Sequence, residues 1–325
     1  MISPNVPVDD PTMPFLSLAL DPDEVRWRFS RSSGFDDEIL PRSARVIRHK
    51  PGKRALVEYE LESPTETFTV IGKARARGVD DKSYRVQRDL EKVGFPVPRT
   101  LGKIPEFHMW LQRKEPGVPA TELLAGPDGV GLARRIADLS HSLHGAGVTP
   151  LRPPHGMAEE LKILHERLPL VAEANPDRRH RIERILCACD RLGASLPAPK
   201  LVPIHRDFYA DQVLVDGERI RLLDFDLYCE GDPGLDIGNF AAHLTEQALR
   251  TLGNPDALKD REEALVESFV ELSGEEVLRA VRVYSALTLA RHVHISFRIP
   301  ERGPLTEDIL DLCEERLPHA LRDIA

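Results

Sequence analysis

Along the chain, the apolar positions first follow a β pattern and then a helical one. Residues 44–48, 55–61 and 67–74 predict strands, the first two parted by the polar break His49-Lys50-Pro51-Gly52-Lys53-Arg54. Residues 80–93 place Val86, Leu90 and Val93 at helical spacing. Gly94 stops that helix, and Phe95-Pro96-Val97-Pro98 comes next. Residues 108–113 predict a further strand, and the Pro116-Gly117 pair marks a boundary. Beyond it the period is helical: 133–144 with Ile136, Leu139 and Leu143 on one face, 157–168, and 177–192 with Ile182, Ile185, Leu186 and Cys189 together. Four more helices are predicted over 239–252, 259–272, 275–297 and 306–321. One hairpin interrupts them, with strands at 213–215 and 220–223 and a two-residue turn at Asp216-Gly217. Ahead of all this, Pro22–Phe29 predicts a short helix with Asp21 as N-cap, Pro22 at the first helical position and Asp23 and Glu24 in the first turn.

The pattern predicts an α+β chain of three parts: a mainly β part over 43–117, an extension over 1–42 packed on it, and a mainly helical part over 118–325. Composition narrows the class. With 325 residues the chain can build two cores, and 41% hydrophobic with 30% charged residues fits a water-soluble globular protein. A formal charge of −9 and the lack of a long basic run argue against nucleic acid as a partner. Nothing approaches the length of a membrane span. The early apolar run at 13–20 comes after Asp9-Asp10, the wrong flank for a signal peptide, so a cytoplasmic setting is expected. Four cysteines at 187, 189, 229 and 313 suggest free thiols rather than a disulfide framework.

The chemistry concentrates in residues 204–240. A His205-Arg206-Asp207 triplet precedes the hairpin, and the second strand runs into Asp224-Phe225-Asp226. The hairpin folds the chain back so that Gln212, just before its first strand, comes beside Asp224, just after its second. Asp207, Gln212 and Asp224 then form one acidic constellation. Phosphoryl transfer needs such a set: a carboxylate for the acceptor hydroxyl and oxygen ligands for Mg²⁺.

The stretch resembles the aminoglycoside phosphotransferase and choline kinase families, relatives of the protein kinases. Their loop reads H-x-D-x-x-x-x-N and is followed by a hairpin and a metal-binding Asp. His205, Asp207 and Asp224 match, and Asp236-Ile237-Gly238-Asn239-Phe240 looks like the segment further on. Gln212 stands where the families have Asn, one methylene longer. The resemblance implies a protein-kinase-like two-lobed fold: a small antiparallel sheet with one main helix over 43–117, which binds nucleotide, and a larger helical lobe over 118–325. It does not cover 1–42.

The activity it implies is transfer of the γ-phosphate of ATP to a hydroxyl of a small molecule, with Asp207 as the base. Asp224 and Gln212 would hold Mg²⁺, and Asp226, two residues on, can add a ligand or a supporting contact. His205 and Asp236 would hold the loop, and His144 would be a hydrogen-bonded core histidine. Lys73 sits where the phosphate-binding lysine of kinases would. The acid that holds that lysine falls on Ser83, a second departure, with Asp80, Asp81 and Asp89 as substitutes nearby. The turn carrying Lys50, Gly52, Lys53 and Arg54 takes the place of the phosphate-covering loop, offering backbone N–H groups and positive charge to an anion; a solvated basic tip accounts for the same residues. Lys114 opens the hinge segment whose backbone would meet adenine.

The short interval from Asp224 to Asp236 leaves no room for a long activation segment and argues for a small acceptor of aminoglycoside, sugar or amino-alcohol type. Acidic residues (Glu230, Asp232 and the 307–315 helix) suit an amine, whereas Arg291-His292-Val293-His294 and Arg298 suit an anion. Two other classes remain open. One is a pseudokinase in which Gln212 and Ser83 mark lost catalysis. The other is a metal-dependent hydrolase built on Asp207, Asp224 and Asp226, which lacks histidines at metal spacing.

Overall fold

The structure, a computed structural model, describes residues 10–32, 34–35 and 39–323. Of the predicted extension, residues 1–9, 33 and 36–38 lie outside the described residues, Asp9 among them. The chain divides into two compact units, the first ending at Pro116 and the second beginning at Gly117.

In the first unit, helices α1 (Phe15–Ala19) and α2 (Pro22–Phe29) precede strands β1 (Leu40–Lys50), β2 (Arg54–Glu62) and β3 (Thr67–Arg75), helix α3 (Asp81–Lys92), and strands β4 (Thr100–Ile104) and β5 (Met109–Arg113). The strands form one antiparallel sheet in the order β1-β2-β3-β5-β4. Strand β4 is not predicted by the pattern of the sequence. Its run Thr-Leu-Gly-Lys-Ile is short and carries a glycine at φ 102°, so the period of two never develops.

Alternation along β2 sends Val57, Tyr59 and Leu61 to one face of the sheet, where they pack with Val70 and Ala74 of β3 and with Phe15, Leu16, Val25 and Phe29 of the two leading helices. Asp21 caps α2 through the N–H groups of Asp23 and Glu24. Lys73 and Glu58 belong to the opposite face.

The second unit holds strand β6 (Val118–Pro119), helices α4 (Ala120–Leu123), α5 (Gly129–His144), α6 (Met157–Ala174) and α7 (Arg179–Ala194), and strands β7 (Val202–Ile204), β8 (Val213–Asp216), β9 (Arg219–Leu222) and β10 (Cys229–Gly231). Helices α8 (Gly234–Leu252), α9 (Lys259–Ser273), α10 (Val277–Arg298) and α11 (Thr306–Asp323) complete it. A core drawn from α6, α7, α8, α10 and α11 includes Leu168, Val171, Ile185, Leu287, Val293 and Leu310. Helix α6 continues through Pro169, where the sequence suggested an end. Burial of Val171 and Ala172 beyond the proline offsets its lost hydrogen bond and ring clash, together about 3 kcal/mol. All four cysteines are free, and no helix among the described residues is long and apolar enough to cross a membrane.

Helix α8 starts at Gly234, five residues ahead of its predicted start at 239. Its glycines hid it, because Gly lowers helix propensity by about 1 kcal/mol. They serve packing instead. A Cβ on Gly234 would meet Ala280 Cβ at 2.7 Å, and one on Gly238 would meet the Val281 carbonyl oxygen at 2.6 Å and the Ser285 nitrogen at 2.7 Å. The backbones of α8 and α10 therefore touch along this face.

Gly238→Ala is expected to destabilise the protein by about 1–3 kcal/mol, since the obstructing atoms are backbone and cannot rotate away. Gly131 of α5 has open space at its Cβ position, so Gly131→Ala should instead stabilise by up to about 1 kcal/mol. Urea unfolding of the two variants beside the wild type checks both signs.

Candidate functional site

The second unit gathers the triplet, the hairpin and the start of α8 around one carboxylate. Asp236, fully buried in the first turn of α8, accepts the His205 N–H at 2.8 Å and the Arg206 N–H at 2.7 Å. His144 Nε2 donates to it as well, at 3.0 Å. These bonds fix the loop as it leaves β7, where Arg206 takes φ 71°. The His205 ring then donates from Nε2 to the Leu223 carbonyl at 2.9 Å, tying the triplet to the far end of the hairpin. Phe208 and Phe225 pack edge-on against that ring.

The hairpin turns one residue later than the sequence suggested. Asp216 pairs with Arg219, so Gly217 and Glu218 are the turn residues, and Gly217 supplies the positive φ of 57°. Beyond the other end of the ladder the Leu223 N–H meets the Gln212 carbonyl at 2.8 Å. Gln212 and Asp224 are thereby neighbours, and the Gln212 side-chain amide reaches the Tyr209 hydroxyl at 3.5 Å. Asp224 sits at φ 63°, a rare conformation for a residue with a side chain, and accepts the Asp226 N–H at 3.4 Å. Burial raises the Asp207 carboxyl above the usual carboxylate range. His205, Arg291 and Arg206 pull it down, while the charge of Asp224 pushes it further up.

Four further residues complete its support. The Asn239 amide donates to the Phe208 carbonyl at 2.8 Å, and its oxygen accepts from Arg291. Arg291 also meets Glu160 at 3.2 Å, and Glu160 meets His155 at 2.6 Å. Burial alone would raise the Glu160 pKa, yet the His155 ring and the Arg291 guanidinium bring it below the ordinary value. Glu160 had a signal in the sequence: it shares the i, i+4 stripe of Leu164 and Leu168, a charge where the helix should be apolar.

Arg291 is thus engaged within the fold rather than held out for an anion. Its neighbour His292 is buried and driven by burial down to about 3, so it adds no charge at neutral pH. The acidic α11 is engaged too, with Glu307, Asp311 and Glu314 paired to Arg178, Arg181 and Arg184.

In the first unit, Lys73 points its ammonium over the Trp110 ring, 4.8 Å from the centroid. The β1–β2 turn does meet an anion, but one of its own chain. Asp10 accepts the Gly52 N–H at 2.9 Å, pairs with His49 at 2.9 Å, and takes both the hydroxyl and the N–H of Thr12. The Thr12 hydroxyl and the Gly52 N–H hold the Asp10 carboxyl well below the usual range. The Gly52 N–H is therefore not open to a phosphate here. Lys53 is exposed and Arg54 half-buried. Lys114 donates its backbone N–H to Thr69 and its ammonium to Glu58, at 2.9 and 2.7 Å.

Mg²⁺ is the cation that phosphoryl transfer would call for. Asp224 and Asp226 would offer it two carboxylates and Gln212 an amide oxygen. No group of three or more His, Cys, Asp or Glu among the described residues could hold a metal by itself. Two carboxylates and an amide fit Mg²⁺, which keeps positions for water and phosphate oxygens.

Comparison with known proteins bears on the whole arrangement. The sequence profile of the phosphotransferase enzyme family matches residues 81–266, more than half of the chain. No curated protein matches the sequence. Among solved structures, a choline/ethanolamine kinase family protein from Mesorhizobium loti is similar at TM-score 0.63 and 15% identity, over 92% of this chain and 98% of that one. Spectinomycin phosphotransferase, in complex with ADP and spectinomycin, is similar at 0.61 and 10%, over 94% and 98%. Glucosamine kinase, in complex with glucosamine, ADP and inorganic phosphate, is similar at 0.60 and 16%, over 93% and 86%. At such identities the likeness shows the fold alone: α+β and protein-kinase-like.

Arg291→Met should destabilise the protein by about 3–5 kcal/mol, the usual effect of leaving a buried ion-pair partner behind. Adding Glu160→Gln, which removes the stranded charge, should recover part of that loss. Urea unfolding measures both. Equal stability of the two variants would mean that the stranded Glu160 is not the source of the loss.

Proposed function

The chain belongs to the phosphotransferase enzyme family, and from that premise we propose that it transfers the γ-phosphoryl group of ATP to a hydroxyl of a small molecule. The observation that carries this reading is the half-buried Asp207, on a loop whose backbone is fastened to Asp236, with the charge of Asp224 bearing on it from the end of the hairpin. A carboxylate whose proton affinity is raised by burial and by a second carboxylate is suited to take a proton, and the second to hold a cation, the needs of hydroxyl activation beside a metal-bound phosphate.

In the proposed mechanism Asp207 accepts a hydrogen bond from the acceptor hydroxyl, orients its oxygen in line with the γ-phosphorus, and takes the proton as the new bond forms and the bond from phosphorus to the leaving ADP oxygen breaks. Its raised pKa brings it closer to the working pH, which makes it a better proton acceptor than a solvated carboxylate. Asp224 is the principal ligand proposed for Mg²⁺, with Gln212 and Asp226 beside it. The cation, when bound, neutralises charge on the phosphates. Lys73 is assigned to the α- and β-phosphates, Lys53 and Arg54 to the positive field over them, and the Lys114 segment to adenine. Gly52 keeps its turn-forming role, with its N–H given to Asp10.

The acceptor class is the finer part of the proposal. Kinases of this fold crystallised with spectinomycin or glucosamine make amino sugars, aminoglycosides and amino alcohols the first compounds to try. A cytoplasmic setting, where ATP is abundant, is the matching expectation.

An ATP-consumption screen over those compounds tests the activity. With an acceptor in hand, Asp207→Asn should lower turnover by about 10²–10⁴-fold while leaving ATP binding nearly intact. Unchanged turnover would remove Asp207 from the mechanism. Gln212→Asn separates a working enzyme from a degenerate one. Shortening the side chain draws it back from a metal that demands ligands at about 2.0–2.1 Å, so an enzyme adapted to Gln should lose Mg²⁺-dependent ATP affinity. A clear gain in the variant would favour the pseudokinase instead.

A further inference from the structure

Among the described residues of its unit, Lys73 has no acid partner. On α3, Ser83 stands where the acid was expected, buried, with its N–H capped by Asp80 at 3.2 Å. The neighbouring acids are all engaged elsewhere. Asp80 also pairs with Arg75, Asp81 with Lys103 at 2.7 Å, Asp89 with Arg88 and Lys92, and Glu91 takes the N–H and hydroxyl of Thr100. Glu58, on the same sheet face as Lys73, is paired with Lys114 and Arg45. Among the described residues of this unit, no carboxylate lies within ion-pair distance of Lys73.

An aromatic ring lies there instead. Lys73 on β3 and Trp110 on β5 are directly opposed in the antiparallel ladder, so their side chains share one face. The Lys73 Nζ stands 4.8 Å from the indole centroid, inside the range of a cation–π contact. Trp110 is 1% exposed, and Tyr84 of α3 packs edge-on against it at 5.9 Å and 61°. The ring is thus fixed by both the sheet and the helix. It can define the position of an ammonium whose own stem is flexible.

We propose that Trp110 is the positioning residue of Lys73, its indole face standing in for the acid partner. The inference rests on the reading of Lys73 as a phosphate-binding residue. A ring attracts the ammonium through its quadrupole and takes none of its three N–H donors. A carboxylate would take at least one and cancel the charge. Lys73 held by Trp110 keeps its full charge and all three donors for phosphate oxygens. The arrangement also makes the lysine's position a property of the sheet, independent of any acid delivered by α3.

The test is a double-mutant cycle on the full chain, read as the dissociation constant for Mg·ATP. Trp110→Leu should weaken binding about tenfold, in line with a desolvated cation–π contact. Trp110→Phe, which keeps an aromatic face, should recover most of it. In a Lys73→Met background, Trp110→Leu should change affinity by about twofold or less, since the interaction is already gone. A full tenfold effect in that background would overturn the proposal, because Trp110 would then be acting through packing alone.

Trp110 is a core residue, so a second measurement spares it. The chain has two tryptophans, and Trp27→Phe leaves Trp110 as the sole indole. Adding Mg·ATP should shift its emission as the phosphates gather around the ammonium held on its face, and the shift should vanish in Trp27→Phe/Lys73→Met. A shift that survives the loss of Lys73 contradicts the assignment. If the wild type fails to bind Mg·ATP at all, the proposed function falls and takes this inference with it. Binding with an additive cycle defeats only the inference.

Discussion

The carboxylate of Asp236 is the constraint on which the second unit's loop depends. A buried carboxylate without partners is among the most expensive groups a protein can hold. This one is satisfied by two successive backbone N–H groups and an imidazole. The satisfaction works in both directions. The loop leaving β7 has amides that no strand partner can take, and Asp236 supplies the acceptor they lack. Because it lies in the first turn of α8, the loop inherits the position of a nineteen-residue helix.

That helix is located by close backbone approach. Gly234 and Gly238, one turn apart on one face, let α8 settle against α10 with no side chain of its own between them. Once the two helices touch, Arg291 of α10 reaches Asn239 of α8, and Asn239 reaches the Phe208 carbonyl. The residue after Asp207 is therefore held from beneath, while the two before it are held by Asp236. Glu160 and His155 finish the chain by giving the Arg291 guanidinium a buried counter-charge. Glycine packing, a buried ion pair and a backbone loop act here as one device.

Much of this was legible in the sequence. The triplet, the hairpin and the two aspartates after it carry local signals: turn chemistry, strand period and spacing. The helix α2 with its Asp21 cap, and α3 ending before Gly94, could be read directly. What escaped depended on contacts distant in sequence. The start of α8 was masked because its glycines are chosen for α10 and not for helix propensity. Helix α6 runs past Pro169 because of its neighbours. The role of the Gly52 N–H turned on Asp10, forty-two residues away. Glu160 did leave a trace, as a charge on an apolar stripe, but its partner on α10 could not be read from α6. The turn at Gly217-Glu218 shifted by one residue because Gly217 suits the first turn position as well as the second.

Two residues of the site, Arg206 and Asp224, hold the left-handed backbone conformation that glycine usually fills. Such positions cost on the order of 1–3 kcal/mol each and persist where the surroundings impose them. Asp236 imposes the first through the Arg206 N–H. The His205 bond to the Leu223 carbonyl restrains the second, at the peptide just before Asp224. Glycine would relieve both, but would remove a charged side chain from each. The Arg206 charge bears on Asp207 and on Glu159 and Glu160. The Asp224 carboxylate bears on Asp207 and faces the place proposed for the cation. The strain lies where a sharp turn of the backbone and a specific charge are required of the same residue. That coincidence accounts for the strain at these two positions.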